Sequence, residues 1–207
     1  MPSTIYLVRH AESVHNVTKD FNIRDPELTD LGLTQASALA TSFPALSSAA
    51  VVLASPMTRA IQTTLAAFGA IIEDGVELVL DPDLQERSDL PCDTGSDLAT
   101  LGERFGHLGV GFQRSLEDHW YVKEGPYAAD DEAVAARAKT VRRKLQELAN
   151  RLAEDGVPET KRDIVVVTHG VFMKFLAEDS TIDLPKAGWK AYTVEAEGAE
   201  PALIPVE

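Results

Sequence analysis

Short, mostly apolar runs bounded by polar residues recur along the chain and predict buried β-strands. Four of them are clear: Ile5–Val8, Val51–Ala54, Val76–Leu80 and Ile164–Val167. Apolar runs of this length, with little polar alternation, are typical of strands that are covered on both faces, as in a parallel sheet. The pattern therefore predicts a largely parallel sheet.

Longer segments with helical periodicity alternate with these runs. They predict helices over Leu31–Ser42, Pro56–Phe68, Asp131–Glu154 and Val171–Glu178. Thr29 or Asp30 is the expected cap of the first helix, and Ser55 that of the second, with Pro56 at its first helical position. Strands that alternate with helices predict an α/β fold, a three-layer sandwich whose mostly parallel central sheet has helices on both faces.

Two regions depart from this alternation. Residues Arg87–Ala129 are rich in glycine and predict short helices and loops, a small lid-like insertion over the strand ends. Near the C-terminus, Ala191–Val194 and Ala202–Val206 predict short strands, paired as a hairpin with Gly198 in the turn. With 207 residues, 44% of them hydrophobic, we expect one domain over residues 1–207, with the insertion at about 87–129.

Charged and imidazole side chains follow directly behind the predicted strands. Arg9 and His10 follow the first strand, and His169 follows the last. Arg59 and Glu86 come shortly after the second and third. The carboxyl ends of parallel strands meet at one edge of a sheet, where ligands bind, so we expect these five side chains to converge. The alternative is that each histidine only closes its strand and bonds a neighbouring backbone group.

This ordered set of motifs resembles that of the histidine phosphatase superfamily, in its phosphoglycerate mutase-like branch. The match extends from Ile5 to about Val194, although the usual Arg-His-Gly of the first motif has Ala11 in third place. The resemblance implies the site residues as follows: His10 as the phosphorylated nucleophile, Arg9, Arg59 and His169 as the phosphate pocket, and Glu86 as the proton donor.

The chemistry of a phosphomonoester asks for the same residue types. Guanidinium groups hold a phosphate dianion with paired N–H donors, which suits Arg9 and Arg59. A neutral imidazole at His10 can attack phosphorus, and a carboxyl group can protonate the leaving group. Asp83 is an alternative to Glu86, because both belong to an acidic cluster that is also consistent with a solvated loop.

Two residues close behind the first motif are candidates for substrate binding. The resemblance implies that Asn16 donates a hydrogen bond to the phosphate or to the leaving group. His15 is placed to touch the leaving group, although a histidine beside a site is often a packing or surface residue. His107 and His119 have no distinguishing spacing and are taken as structural.

Composition limits the classes of partner. The formal net charge of −14 disfavours nucleic acid, so affinity for an anionic substrate has to come from a local positive pocket. Arginines beside the paired histidines would repel a divalent cation, so we predict no metal and no organic cofactor. Without a predicted leader or membrane-spanning run, and with Cys92 as the single cysteine, the expectation is a cytoplasmic protein that binds no membrane. No base is positioned beside Cys92, which argues against a catalytic thiol, and the oligomeric state stays open.

The insertion is expected to decide whether the phosphoryl group is transferred to water or returned to a product that stays bound. Its basic residues, Arg87, Arg104, Arg114 and Lys123, form no adjacent arginine pair that would hold a carboxylated product. We therefore predict a metal-independent phosphomonoesterase that acts on a small phosphorylated metabolite through a phosphohistidine. The alternatives are a phosphoglycerate mutase-type phosphotransferase, a phosphoprotein phosphatase and a non-catalytic phosphate-binding module. The aromatic residues of the insertion suit either an apolar leaving group or a small core of their own: Phe105, Phe112, Trp120, Tyr121 and Tyr127.

Overall fold

The sheet of the protein has six strands in the part of the chain that the computed structural model describes, residues 3–106, 116–197 and 200–206. In chain order the strands are β1 (Thr4–Arg9), β2 (Ala49–Ala54), β3 (Glu77–Leu80), β4 (Asp163–Thr168), β5 (Trp189–Glu197) and β6 (Glu200–Pro205). Across the sheet their order is β3-β2-β4-β1-β5-β6. β1 and β4 are therefore direct neighbours near the middle of the sheet, which brings the two ends of the sequence together.

The first four strands are parallel, and the C-terminal pair is antiparallel. Val166 of β4 stands opposite Leu7 of β1 on one side and Leu53 of β2 on the other. β5 runs antiparallel to β1, and β6 runs antiparallel to β5. The predicted α/β fold class is confirmed, and the expected hairpin extends the same sheet.

The α-helices in the described ranges cover both faces of the sheet. They are α1 (Val14–Thr18), α2 (Asp30–Ser42), α3 (Thr58–Glu73), α4 (Leu98–Phe105), α5 (Asp131–Glu154) and α6 (Gly170–Leu176). Thr29 caps α2 by accepting the N–H of Gly32, one of the two caps expected. The bounds of α5 are those predicted, whereas α6 ends two residues earlier than expected.

The start of α3 corrects the predicted cap. The N-terminal cap residue is Met57, which makes no side-chain capping bond, so neither Ser55 nor Pro56 has its expected role. The Ser55 hydroxyl lies 2.8 Å from Nε2 of His169 instead. The N–H of Thr58, the first residue of α3, is accepted by Asp25 at 2.9 Å, whereas the Ser55 hydroxyl accepts the N–H of Met57 at 3.4 Å.

Alternate residues of β4 point into two separate cores. Val165 and Val167 pack in the cluster that includes residues of α2 and α3, and Ile164 and Val166 pack in the cluster that includes residues of α5 and α6. All four are fully buried. Burying such a side chain contributes about 1.5–3 kcal/mol, so this strand is a strong anchor for the site that follows it.

Aromatic residues of the insertion belong to the core. Phe105 and Trp120 are buried in the α2–α3 cluster, and Tyr121 packs against it. Four residues named from the sequence lie outside the described ranges: His107, Phe112, Arg114 and Gly198. The single domain over residues 1–207 and the lid role of residues 87–129 stay predictions. Within the described residues, no helix is both long and apolar enough to cross a membrane.

Candidate active site

Four strand ends bring the predicted side chains to one place. His10 follows β1 and His169 follows β4, and their ring centroids lie 5.1 Å apart. Arg59 lies in the first turn of α3, behind β2. Glu86 comes after β3. A cavity of about 270 Å³, called the histidine cavity below, is lined by His10, Arg9, Arg59 and Glu86 among others.

His10 is held by both neighbouring strand ends and by its own ring. Its N–H donates to the carbonyl of Thr168 at 2.9 Å, and its carbonyl accepts the N–H of Ala187 at 3.4 Å. Nδ1 lies 2.7 Å from the carbonyl of Ala11, so Nδ1 carries the proton and Nε2 keeps a lone pair. Burial, followed by the charge of Arg59, holds the pKa of His10 well below its usual range, so the ring is neutral.

Arg59 is fully buried and is fixed at three nitrogens. Its Nε donates to Nε2 of His10 at 3.3 Å, Nη1 donates to the carbonyl of Cys92 at 2.7 Å, and Nη2 donates to Asp93 at 2.9 Å. Two N–H groups remain on this planar fork. They give Arg59 donors for a bound anion without a change in its position.

His169 has one nitrogen bonded and one without a partner. Nε2 of His169 lies 2.8 Å from the Ser55 hydroxyl, a group that both donates and accepts hydrogen bonds. Among the described residues, the buried Nδ1 has no hydrogen-bond partner. Burial, and then the charge of Arg59, holds the pKa of His169 well below its usual range. The ring is therefore neutral and lies beside His10, but His169 is not among the described residues that line the histidine cavity.

Glu86 is bonded to the start of α6. One carboxylate oxygen accepts the N–H groups of Arg87 and Phe172, at 2.9 and 2.8 Å, and the other accepts that of Val171 at 3.1 Å. These three N–H groups fix the position of the carboxyl group beside the cavity. Asp83, the alternative from the sequence, pairs with Lys144 at 2.9 Å and lines a different cavity beside α5.

Arg9 reaches across the start of α6 to the loop before β5. Its Nη1 donates to Asp183 at 3.0 Å and also to the carbonyl of Leu184. A Cβ atom at Gly170 would lie 2.9 Å from Nη2 of Arg9 and 3.0 Å from its central carbon. Glycine at position 170 is therefore what leaves room for this guanidinium beside the cavity.

His15 and Asn16 line the cavity but are bonded to each other and to Ser13. Asn16 Nδ2 donates to His15 Nε2 at 2.9 Å, His15 Nδ1 donates to the Ser13 hydroxyl at 3.0 Å, and that hydroxyl donates to Asn16 Oδ1 at 3.0 Å. Burial lowers the pKa of His15 to about 4. One N–H of Asn16 remains for a ligand, and the substrate-binding role of both residues stays a prediction.

Asp25, which carried no signal in the sequence, organises the surroundings of Arg59. It is buried, has a positive φ of 44°, and accepts the N–H and hydroxyl of both Thr58 and Ser96, at 2.7–3.1 Å. Thr58 is the first residue of α3, so Asp25 serves the helix end that Met57 leaves uncapped. It ties α3 to the loop that contains Asp93.

The cavity also contains residues that the sequence did not indicate. Phe21 and Leu90 are exposed apolar residues that line it, and Lys174, Asp183 and Lys186 are charged ones. These residues follow no periodic pattern, and only their contacts across the chain place them here. The Cys92 thiol is buried, which raises its pKa to about 11, so it is protonated near neutral pH.

Two further observations concern other kinds of ligand. A larger cavity, of about 680 Å³, lies along β3 and α5 and includes none of the predicted site residues. Over the described ranges, no three histidine, cysteine, aspartate or glutamate side chains are arranged to hold a metal ion. The prediction of metal-independent chemistry remains to be tested.

Comparisons with known proteins give the family. A family model described as the histidine phosphatase superfamily (branch 1) matches residues 5–198. A probable phosphatase of Schizosaccharomyces pombe is 34% identical over 193 residues, which are 88% of this chain and 83% of that protein. Phosphoglycerate mutase-like protein 1 of Arabidopsis thaliana is 38% identical over 77 residues, 32% of this chain and 27% of that one.

Solved structures share the fold. A mycobacterial glucosyl-3-phosphoglycerate phosphatase in complex with VO3 has a TM-score of 0.65 and 19% identity, over 99% of this chain and 98% of that one. A phosphoserine phosphatase of Entamoeba histolytica has a TM-score of 0.56 and 18% identity, over 97% and 94%. The family model and the relative named a phosphatase support a phosphomonoester hydrolase. The resemblance seen in the sequence is confirmed, and the chain belongs to the histidine phosphatase superfamily.

Proposed function

We propose that the protein hydrolyses a small phosphomonoester through a covalent phosphohistidine at His10, without a metal ion. The observation that carries the proposal is the bond from Nδ1 of His10 to the Ala11 carbonyl, at 2.7 Å. It leaves Nε2 as the nitrogen with the lone pair, in a ring that burial and Arg59 keep neutral. For the attack on phosphorus, Nε2 has to give up the 3.3 Å hydrogen bond that it accepts from Nε of Arg59. In this proposal, the charge that the phosphoryl group spreads over its oxygens meets Arg9, Arg59 and His169.

The reaction has two steps. Nε2 of His10 attacks phosphorus while the bond between phosphorus and the ester oxygen breaks, and Glu86 gives that oxygen a proton. Water then attacks the phosphohistidine, returns a proton to Glu86, and releases inorganic phosphate and neutral His10. To reach the leaving group, Glu86 has to release at least one of its three N–H donors.

Hydrolysis is favoured over phosphoglycerate mutase activity by the positions of the basic residues in the insertion. Arg104 donates to the Thr58 hydroxyl and lies 3.7 Å from Glu27, and Lys123 donates to the backbone carbonyl of Glu86. Both of these insertion residues are therefore already bonded, and the insertion supplies neither of them to hold a product while it turns around in the cavity. The volume of about 270 Å³ suits a small metabolite, and a phosphopeptide stays an outcome for a substrate panel.

Rapid quenching with a labelled aryl phosphate tests the proposal. We expect acid-labile, base-stable label on His10, and a loss of turnover of several orders of magnitude in His10→Ala. His119→Ala, on an insertion histidine outside the cavity, is the matched control and should keep full activity. Turnover by a folded His10→Ala protein, or unlabelled wild-type protein during turnover, would refute the mechanism.

A further inference from the structure

The charges in the histidine cavity are unequally compensated. Its acidic side chains are each already bonded: Asp93 to Arg59, Asp183 to Arg9, and Glu86 to three backbone N–H groups. Lys174 and Lys186 line the same cavity and are half-buried. Among the residues that the structure describes, neither ammonium has a hydrogen bond or an ion pair.

Backbone contacts of their elements place the two lysines. Lys174 lies on α6, whose first residues bind Glu86. Lys186 lies in the loop before β5, where the next residue, Ala187, donates to the carbonyl of His10 at 3.4 Å and Gly188 accepts the N–H of Arg9 at 2.9 Å. The loop is thus joined to the end of β1, and a Lys186 side chain that lines the cavity stands beside the groups that would hold phosphate.

We propose that Lys186, with Lys174, binds a carboxylate on the leaving group, so that the substrate is a small phosphomonoester with a second negative charge. The inference rests on the proposed phosphatase function and adds the substrate class. Arg9, Arg59 and His169 already supply donors for one phosphate, so two further free ammonium groups at the same cavity match a second anion. A charge-assisted bond to a carboxylate is the contact that a half-buried ammonium without a partner lacks.

The electrostatics of Lys186 agree with this role. Its pKa is lowered to about 8, by burial first and then by Arg9 and Arg59, whereas Glu86 raises it and Lys19 lowers it. The ammonium is charged below that pH and loses its charge above it. A bound carboxylate would oppose the repulsion from the two arginines and stabilise the charged form.

Two esters that differ in one group provide the test. 3-Phosphoglycerate and glycerol 3-phosphate have the same phosphoryl attachment, and a carboxylate in the first replaces a hydroxymethyl group in the second. We expect wild-type protein to have a kcat/KM for 3-phosphoglycerate about tenfold or more above that for glycerol 3-phosphate. Lys186→Met should remove that preference by lowering the first value about 10- to 100-fold, with less than about a threefold change in the second.

Three more variants separate charge from structure. Lys174→Met should reduce the same preference by a smaller factor, and Lys186→Arg should keep part of it. Lys190→Met removes one charge from β5, where the ammonium lies over the Tyr192 ring, and should leave the preference unchanged. For wild-type protein, KM for 3-phosphoglycerate should rise above about pH 8, and that for glycerol 3-phosphate should not.

The outcomes distinguish failure of the carboxylate proposal from failure of the proposed phosphatase function. Equal wild-type kcat/KM values for the two esters would overturn the proposal. So would a Lys186→Met protein whose kcat/KM falls by the same factor for both esters and for p-nitrophenyl phosphate, since Lys186 would then bind the phosphoryl group. No hydrolysis of p-nitrophenyl phosphate by wild-type protein would refute the proposed function instead. In that case the affinities of the two esters, measured by calorimetry, test the present proposal. Wild-type protein should bind 3-phosphoglycerate more tightly than glycerol 3-phosphate, and Lys186→Met should remove this preference.

Discussion

Removing the carboxylate of Asp25 tests how the surroundings of Arg59 are held together. In Asp25→Ala, the backbone N–H groups of Thr58 and Ser96 lose their acceptor inside the protein. Their hydroxyls can rotate to other acceptors, whereas backbone groups cannot. Alanine also tolerates the positive φ of 44° less well than aspartate does.

The expected loss of stability follows from the two backbone N–H groups that lose their acceptor. A buried N–H without an acceptor costs about 1–3 kcal/mol, so Asp25→Ala should lower the free energy of unfolding by roughly 2–6 kcal/mol. That is a large share of the ~5–15 kcal/mol typical of a domain. At about 2–4 °C per kcal/mol for a chain of this size, the midpoint of thermal unfolding should fall by roughly 10 °C.

Urea unfolding and scanning calorimetry measure the effect. Asp25→Asn keeps one oxygen acceptor and the tolerance for positive φ, and should lose about half as much. Ser96→Ala removes a single hydroxyl donor and should cost about 1 kcal/mol. If Asp25→Ala unfolds within about 1 kcal/mol of wild type, the N–H groups of Thr58 and Ser96 have found other partners and the reasoning is wrong.

Three further predictions concern the reaction. Glu86→Gln should slow the hydrolysis of an alkyl phosphate far more than that of p-nitrophenyl phosphate, because a nitrophenolate departs without a proton. Steady-state rates that fall equally for the two esters would contradict the role of Glu86 as proton donor. Excess chelator should leave the rate unchanged and vanadate should inhibit, since arginines hold the phosphate; activity that is lost on chelation and restored by metal would overturn the mechanism. With 3-phosphoglycerate and catalytic 2,3-bisphosphoglycerate, NMR should show released phosphate rather than the 2-phospho isomer, and fast isomerisation would make the protein a mutase.

Residues that follow a strand directly could be located from the sequence. The apolar run of β1 predicts where His10 stands, and the run of β4 does the same for His169, since a covered parallel strand ends at the ligand-binding edge. Arg59 follows from the short connection between β2 and α3. The strand positions and the residue types were sufficient to predict the fold class and the convergence of these side chains.

Residues placed by long-range contacts could not be located in this way. Asp25 and Lys186 lie in loops, and their positions depend on hydrogen bonds to residues distant in sequence, such as that from Ala187 to His10. The cap assigned to Ser55 was wrong for the same reason, because Asp25, which is distant in sequence, accepts the N–H of Thr58 at the start of α3. A local propensity describes a residue's neighbours in sequence and carries no information on such a competitor.

The backbone of His10 is bonded on both sides, to Thr168 of β4 and to Ala187 before β5. For His10 as the proposed nucleophile, the conformational entropy of precise placement is therefore lost once, during folding, and is not lost again at each turnover. The proposed ligands of the leaving group, Lys174 and Lys186, lie on other elements of the fold. Under that proposal, substitutions around the two lysines change the leaving group that is accepted, while the backbone that positions His10 stays the same.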